Sequence, residues 1–246
     1  MKNQSFIILL SILLSQTVLG QDLKEVNYKE GNQALKGLMS SNSGESLPGV
    51  LILPAWKGID QEAIDAAKNL EKQGYIAFIA DIYGVGNTPK DNSESSKISS
   101  QYKKDYQSYQ KRIQAGIDEL KKAGATKVAV IGYCFGGTGA LEAARGGLPV
   151  EGVVCIHGSL GKAADRANGE IKTKVLVEHP ADDAGVKPED YDALVKELRD
   201  GKADWQIITY SDSKHTFTNP ESADYNPVMA ERAWNHKLMF LQEILK

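Results

Sequence analysis

Sulfur and imidazole are scarce in this chain: its 246 residues include two cysteines and four histidines. Two thiols cannot build the multi-bridge framework of a small disulfide scaffold. No C-x-x-C pair offers thioredoxin-like redox chemistry, and both cysteines, each closing an apolar run, read as free thiols. No H-x-x-x-H or similar ligand spacing joins the histidines, so His157 and His179 with their neighbouring aspartates are not read as a metal site, and no cofactor is expected. Charge of one sign is lacking too. Lys and Arg number 29 against 32 Asp and Glu, a net charge of −3 with no basic stripe, which removes nucleic acid from the expected partners. Finally, no apolar run is long enough to span a bilayer.

The apolar run Phe6–Leu14 has another reading. Lys2 precedes it, and Val18-Leu19-Gly20 leads to Gln21, an arrangement of positive start, short apolar core and cleavage site that describes a secretory signal peptide. Residues 1–20 are therefore expected to be cleaved near Gly20, and residues 21–246 to be an exported, periplasmic or secreted protein with no membrane span. The junction has no cysteine for a lipid anchor, and loss of Lys2 makes the net charge one unit more negative. The remaining length suits a single domain with a substantial core; the sequence assigns no oligomeric state.

Along that domain, residues 26–41 alternate polar and apolar around Glu30-Gly31-Asn32, as a β-hairpin does. Apolar strand-like runs then alternate with helical periodicity. Strands are expected at 50–54, 75–80, 127–134, 150–156, 175–178 and 206–210, and helices at 61–73, 138–145, 189–199 and 227–245. The Gly-, Asn-, Ser- and Lys-rich stretch 84–100 reads as a surface loop, followed by a polar helix over 102–122 that Gly124 ends. Six core strands with helical crossovers, plus a leading hairpin, predict an α/β fold with a mostly parallel sheet and helices on both faces. Ligands in such sheets bind outside the carboxyl ends of the strands.

One of those ends carries Gly132-Tyr133-Cys134-Phe135-Gly136-Gly137 between the run Val128–Ile131 and a helix. This is the strand–turn–helix frame of a G-x-S-x-G nucleophile elbow with cysteine in place of serine. The other ends supply partners in the chain order nucleophile, acid, histidine. Asp182 and Asp183 follow one strand, and Lys214-His215-Thr216-Phe217 follows the last. His215 is the expected base for Cys134, and either aspartate could orient it. An oxyanion hole needs two backbone N–H groups. The expected donors are Phe135, next after the nucleophile, and Trp56, in the loop Ala55-Trp56-Lys57-Gly58, whose indole would also wall the pocket.

Together these residues resemble the dienelactone hydrolase family over nearly all of the chain beyond residue 20. The resemblance rests on Pro48–Pro54, Gly74-Tyr75 with Ala80-Asp81-Ile82-Tyr83-Gly84, the elbow itself, and His215-Thr216-Phe217-Thr218-Asn219-Pro220. It implies an α/β-hydrolase fold and a Cys–His–Asp triad of Cys134, His215 and Asp183. It also locates three departures. Where the family's archetype has a thiol-activating glutamate this chain has Ala55, and Val85 and Asn219 stand where it has substrate-binding arginines. The expected activity is cleavage of a small, neutral ester or lactone through an acyl-enzyme. The alternative is a degenerate member that binds a ligand without turning it over.

Overall fold

The computed structural model describes residues 22–163 and 165–246. The expected signal peptide, residues 1–20, lies outside the described residues. No helix among them is long and apolar enough to cross a membrane.

The chain opens with a hairpin, β1 (Lys24–Glu30) and β2 (Gln33–Met39), whose two-residue turn places Gly31 at a positive φ of 53°. Next come β3 (Gly49–Leu53), α1 (Gln61–Lys72), β4 (Ile76–Ile79), α2 (Asn92–Lys104), α3 (Tyr106–Lys122) and β5 (Val128–Tyr133). The remainder is α4 (Phe135–Arg145), β6 (Gly152–Ile156), β7 (Lys174–Pro180), α5 (Pro188–Asp200), β8 (Trp205–Tyr210) and α6 (Pro227–Leu245). The eight strands form one sheet in the order β1-β2-β4-β3-β5-β6-β7-β8. Strands β3 to β8 run parallel, and only the hairpin joins antiparallel, through Leu38 opposite Ile79 and Met39 opposite Phe78.

The apolar runs of β3, β4, β5 and β6 are buried on both faces, as a sheet sandwiched between helices requires. Strand alternation divides the core. Val50, Ile52, Ala129, Ile131 and Val154 meet Ala63, Ala67 and Leu70 of α1 and Leu241 and Leu245 of α6. Leu51, Leu53, Val130 and Val153 meet α3, α4 and α5 on the other face, through residues such as Ile113, Ile117, Leu141 and Leu198. The expected helices on both faces are therefore present.

One stretch departs from expectation. Residues 84–100 are not all loop: α2 begins at Asn92, and the helix expected over 102–122 is two helices divided at Asp105. Only Ser95 and Ser99 of α2 are buried, so it carries no apolar stripe to betray it. Its stability is local. The Asp91 side chain accepts from Glu94 N–H, Lys90 N–H donates to Glu94 Oε2, and the Ser99 hydroxyl donates to the Ser95 carbonyl.

Candidate active site

Parallel pairing levels the strand ends, with Leu53 opposite Gly132 and Gly132 opposite Cys155, so the loops after β3, β5, β6, β7 and β8 share one rim. At its centre the chain turns from β5 into α4 within one residue. Cys134 takes φ 52° and ψ −111°, and α4 begins at Phe135, three residues before the expected helix start at Thr138. Such a turn leaves no room beside it. A Cβ on Gly132 would collide with the Gly136 carbonyl, and one on Gly136 with the carbonyl of Leu53.

The thiol of Cys134 is met by His215. Its Nε2 lies 3.0 Å from Sγ, and its Nδ1 lies 2.7 Å from Asp183 Oδ2. The Asp183 side chain is 1% exposed, whereas Asp182 is exposed and uses its N–H on the Ser213 carbonyl. Of the two aspartates left open by the sequence, Asp183 is the one in contact with the histidine. Its other oxygen accepts Gly185 N–H at 2.8 Å. Burial works against the Asp183 charge, but the hydrogen bond and field of His215 together with Gly185 outweigh it and hold the carboxyl below its usual range. The same bond to Asp183, then the one to Cys134, lifts the His215 imidazole to about 10 against the effect of burial.

A second histidine stands behind the first. His157 closes β6 at φ 39°, is 1% exposed, and has its ring centroid 5.3 Å from that of His215 in an edge-to-face arrangement. Its Nδ1 lies 3.1 Å from Cys134 N, which also donates to the Ile156 carbonyl at 3.0 Å. Its Nε2 is 2.9 Å from Thr218 Oγ1, and that hydroxyl donates to Glu62 Oε1 at 2.6 Å. Burial pushes the His157 imidazole below its usual value. Sequence reading weighed His157 only as a metal ligand and gave no task to it, to Glu62 or to Thr218. The other two histidines sit away from the thiol: His179 packs against Tyr191, and His236 Nδ1 pairs with Tyr210 Oη at 2.9 Å.

Two backbone N–H groups, of Phe135 and Trp56, have no hydrogen-bond acceptor among the described residues. Both residues are fixed by tyrosines. Tyr109 Oη donates to the Phe135 carbonyl at 2.9 Å and Tyr83 Oη to the Trp56 carbonyl at 2.7 Å. The Phe135 ring stacks on Tyr109 with centroids 4.6 Å apart and near-parallel planes. Beside Phe135 opens a cavity of about 280 Å³ walled by Pro54, Ala55, Ile59, Ile82, Tyr83 and Val85. The Trp56 indole is not among its walls. It packs, half-buried, on the core. Ala55 and Val85 face this cavity, and Asn219 turns its Oδ1 to Glu221 N–H. Cys155, the second thiol, is fully buried and pushed up to about 12 by that burial.

The profile of the dienelactone hydrolase family matches residues 35–245. A Bradyrhizobium sp protein described as a "Probable 2-oxo-3-(5-oxofuran-2-ylidene)propanoate lactonase" is 27% identical over 210 residues, covering 80% of this chain and 84% of its own. The "Carboxymethylenebutenolidase homolog" of Homo sapiens is 26% identical over 165 residues, 65% of this chain and 66% of that protein. Among solved structures, a dienelactone hydrolase-like promiscuous phosphotriesterase from metagenomic libraries superposes with a TM-score of 0.84 at 31% identity, over 91% of this chain and 98% of its own.

Proposed function

The chain belongs to the dienelactone hydrolase family, whose members cleave esters and lactones, and from that premise we propose that it opens a small neutral ester or lactone through an acyl-enzyme on Cys134. The observation that carries this reading is the unbroken contact from Cys134 Sγ through His215 to Asp183, at 3.0 and 2.7 Å. The proton shared between the Cys134 thiol and His215 rests on Nε2, as an imidazole lifted to about 10 requires near neutral pH, and the sulfur attacks the carbonyl carbon. The electron pair displaced onto oxygen is received by the Phe135 and Trp56 N–H groups. Collapse of that oxyanion breaks the carbon–oxygen bond, and the leaving alkoxide takes the proton from His215. Water, losing a proton to the same nitrogen, then attacks the thioester and releases the acid and the thiol. Asp183 keeps the imidazole in the tautomer this requires and stabilises its cation.

Size and lining point to the substrate class. The cavity beside Phe135, about 280 Å³, is at the small end for ligand pockets, and its walls are mostly apolar, with Lys36 and Asp81 the charged residues among them. Ala55 and Val85 bring no charge to it. It suits a compact apolar acyl or alkoxy group.

A panel of p-nitrophenyl acetate and butyrate, an unsubstituted butenolide and a p-nitrophenyl phosphotriester tests the proposal, with intact-protein mass spectrometry during turnover. The expected result is an acyl adduct on Cys134, and loss of about a thousandfold or more in turnover for Cys134→Ala. Equal turnover by the wild type and the variant would remove Cys134 from the mechanism. Tight ligand retention with no adduct would favour the degenerate, binding-only reading.

A further inference from the structure

The bonds around His157 run in one direction. A backbone N–H can only donate, so Nδ1, 3.1 Å from Cys134 N, must be the unprotonated nitrogen. The ring proton is then on Nε2 and is given to Thr218 Oγ1, 2.9 Å away. Having accepted, that hydroxyl donates its own proton to Glu62 Oε1 at 2.6 Å. Every link fixes the sense of the next, and a proton on Nδ1 would set two donors against each other. The neutral ring is therefore the one that fits.

The two ends of this chain touch different parts of the site. Nδ1 holds the backbone of the nucleophile, a non-glycine residue at φ 52°. Nε2 holds Thr218, three residues beyond His215 on the same loop. His157 is itself at φ 39°, with its N–H on the Glu178 carbonyl at 2.9 Å. Strained residues persist where the surroundings over-determine them, and here two strained residues are bound to each other.

We propose that His157 is a positioning residue: a single buried imidazole that sets the separation of Cys134 from His215, with Thr218 and Glu62 locking its tautomer. The inference rests on the reading of Cys134 and His215 as nucleophile and base. The ionisable groups around the ring are Glu62 from α1, Tyr133 from β5, Cys134 at the elbow, and Asp183 and His215 from the loops after β7 and β8. A neutral His157 lets His215 take up its proton without a second cation at its edge.

Thr218→Val is the test, because it keeps the shape of the side chain and removes the hydroxyl. Two readouts are taken: steady-state hydrolysis of p-nitrophenyl butyrate, and the pH profile of iodoacetamide alkylation of Cys134 by mass spectrometry. The expected result is a fall in kcat of between about tenfold and a hundredfold with KM within about twofold. An altered alkylation profile accompanies it, and Thr218→Ser restores most of both. Thr218→Ala should repeat the loss if the valine variant folds poorly. An unchanged kcat and alkylation profile in the Val and Ala variants, whatever their melting temperature, would overturn the proposal. Should the wild type hydrolyse no ester, the alkylation profiles still decide the question, so the two failures are separable.

Discussion

Glu178 is fully buried on β7, and neither of its carboxylate oxygens has a hydrogen-bond partner among the described residues. Burial raises its carboxyl to about 7, against the opposing field of Lys237. Burial likewise pushes the Lys237 ammonium down, with its nitrogen 3.0 Å from Tyr133 Oη, so both members of the pair are driven toward their neutral forms. The sign follows from linkage. The unfolded chain ionises this carboxyl near 4.5 and the folded chain near 7, so the residue withdraws stability as pH rises between those values and by a constant amount above them. Glu178→Gln should therefore stabilise the protein by up to about 3 kcal/mol at pH 8, a gain that disappears near pH 4.5. Urea unfolding at several pH values checks it, and a gain independent of pH would contradict the assignment. Residues that announce their chemistry within a short string, such as Cys134 in its elbow and His215 before Thr216-Phe217, were legible from sequence. Choosing Asp183 over Asp182 needed the direction of two adjacent side chains in a turn. The task of His157 needed a bond between Thr218 and Glu62, 156 residues apart, and the direction of its protons.

Among the elements, those packed on the sheet were legible because burial dictates their residues. Strands β3 to β6 are continuous apolar runs, and α1, α5 and α6 were placed to within a residue or so of their ends. Helix α2 was hidden because nothing in its packing requires an apolar stripe, and its boundary with α3 because a single residue makes it. Asp105 closes α2 through its N–H to the Gln101 carbonyl, and its carboxylate accepts Ser108 N–H at 3.1 Å to open α3. Asp105→Ala leaves that N–H without its side-chain partner, and should cost about 1 kcal/mol in denaturant unfolding. Asp105→Asn, which can still cap, should recover most of it. A loss equal in both variants would assign the effect to charge rather than to capping.

At the scale of the whole molecule, the sheet separates the two thiols by environment although one stands at the end of β5 and the other on its neighbour β6. Cys134 rises above the rim, half-buried beside His215, while Cys155 lies inside the core with no exposed surface. Native protein should therefore take up one equivalent of iodoacetamide and denatured protein two, by intact mass. Rapid double labelling of the native chain would mean that the layer over β6 opens readily. The bond between Cys134 and His215 has a further consequence. It joins residues 81 apart in sequence, just after β5 and after β8, with β6 and β7 between them in the sheet. Closing so long a stretch of chain is a late and entropically costly event in folding. In a nascent or collapsed chain the thiol thus has no imidazole beside it, and rapid alkylation during refolding is a clock for the last strand reaching its place.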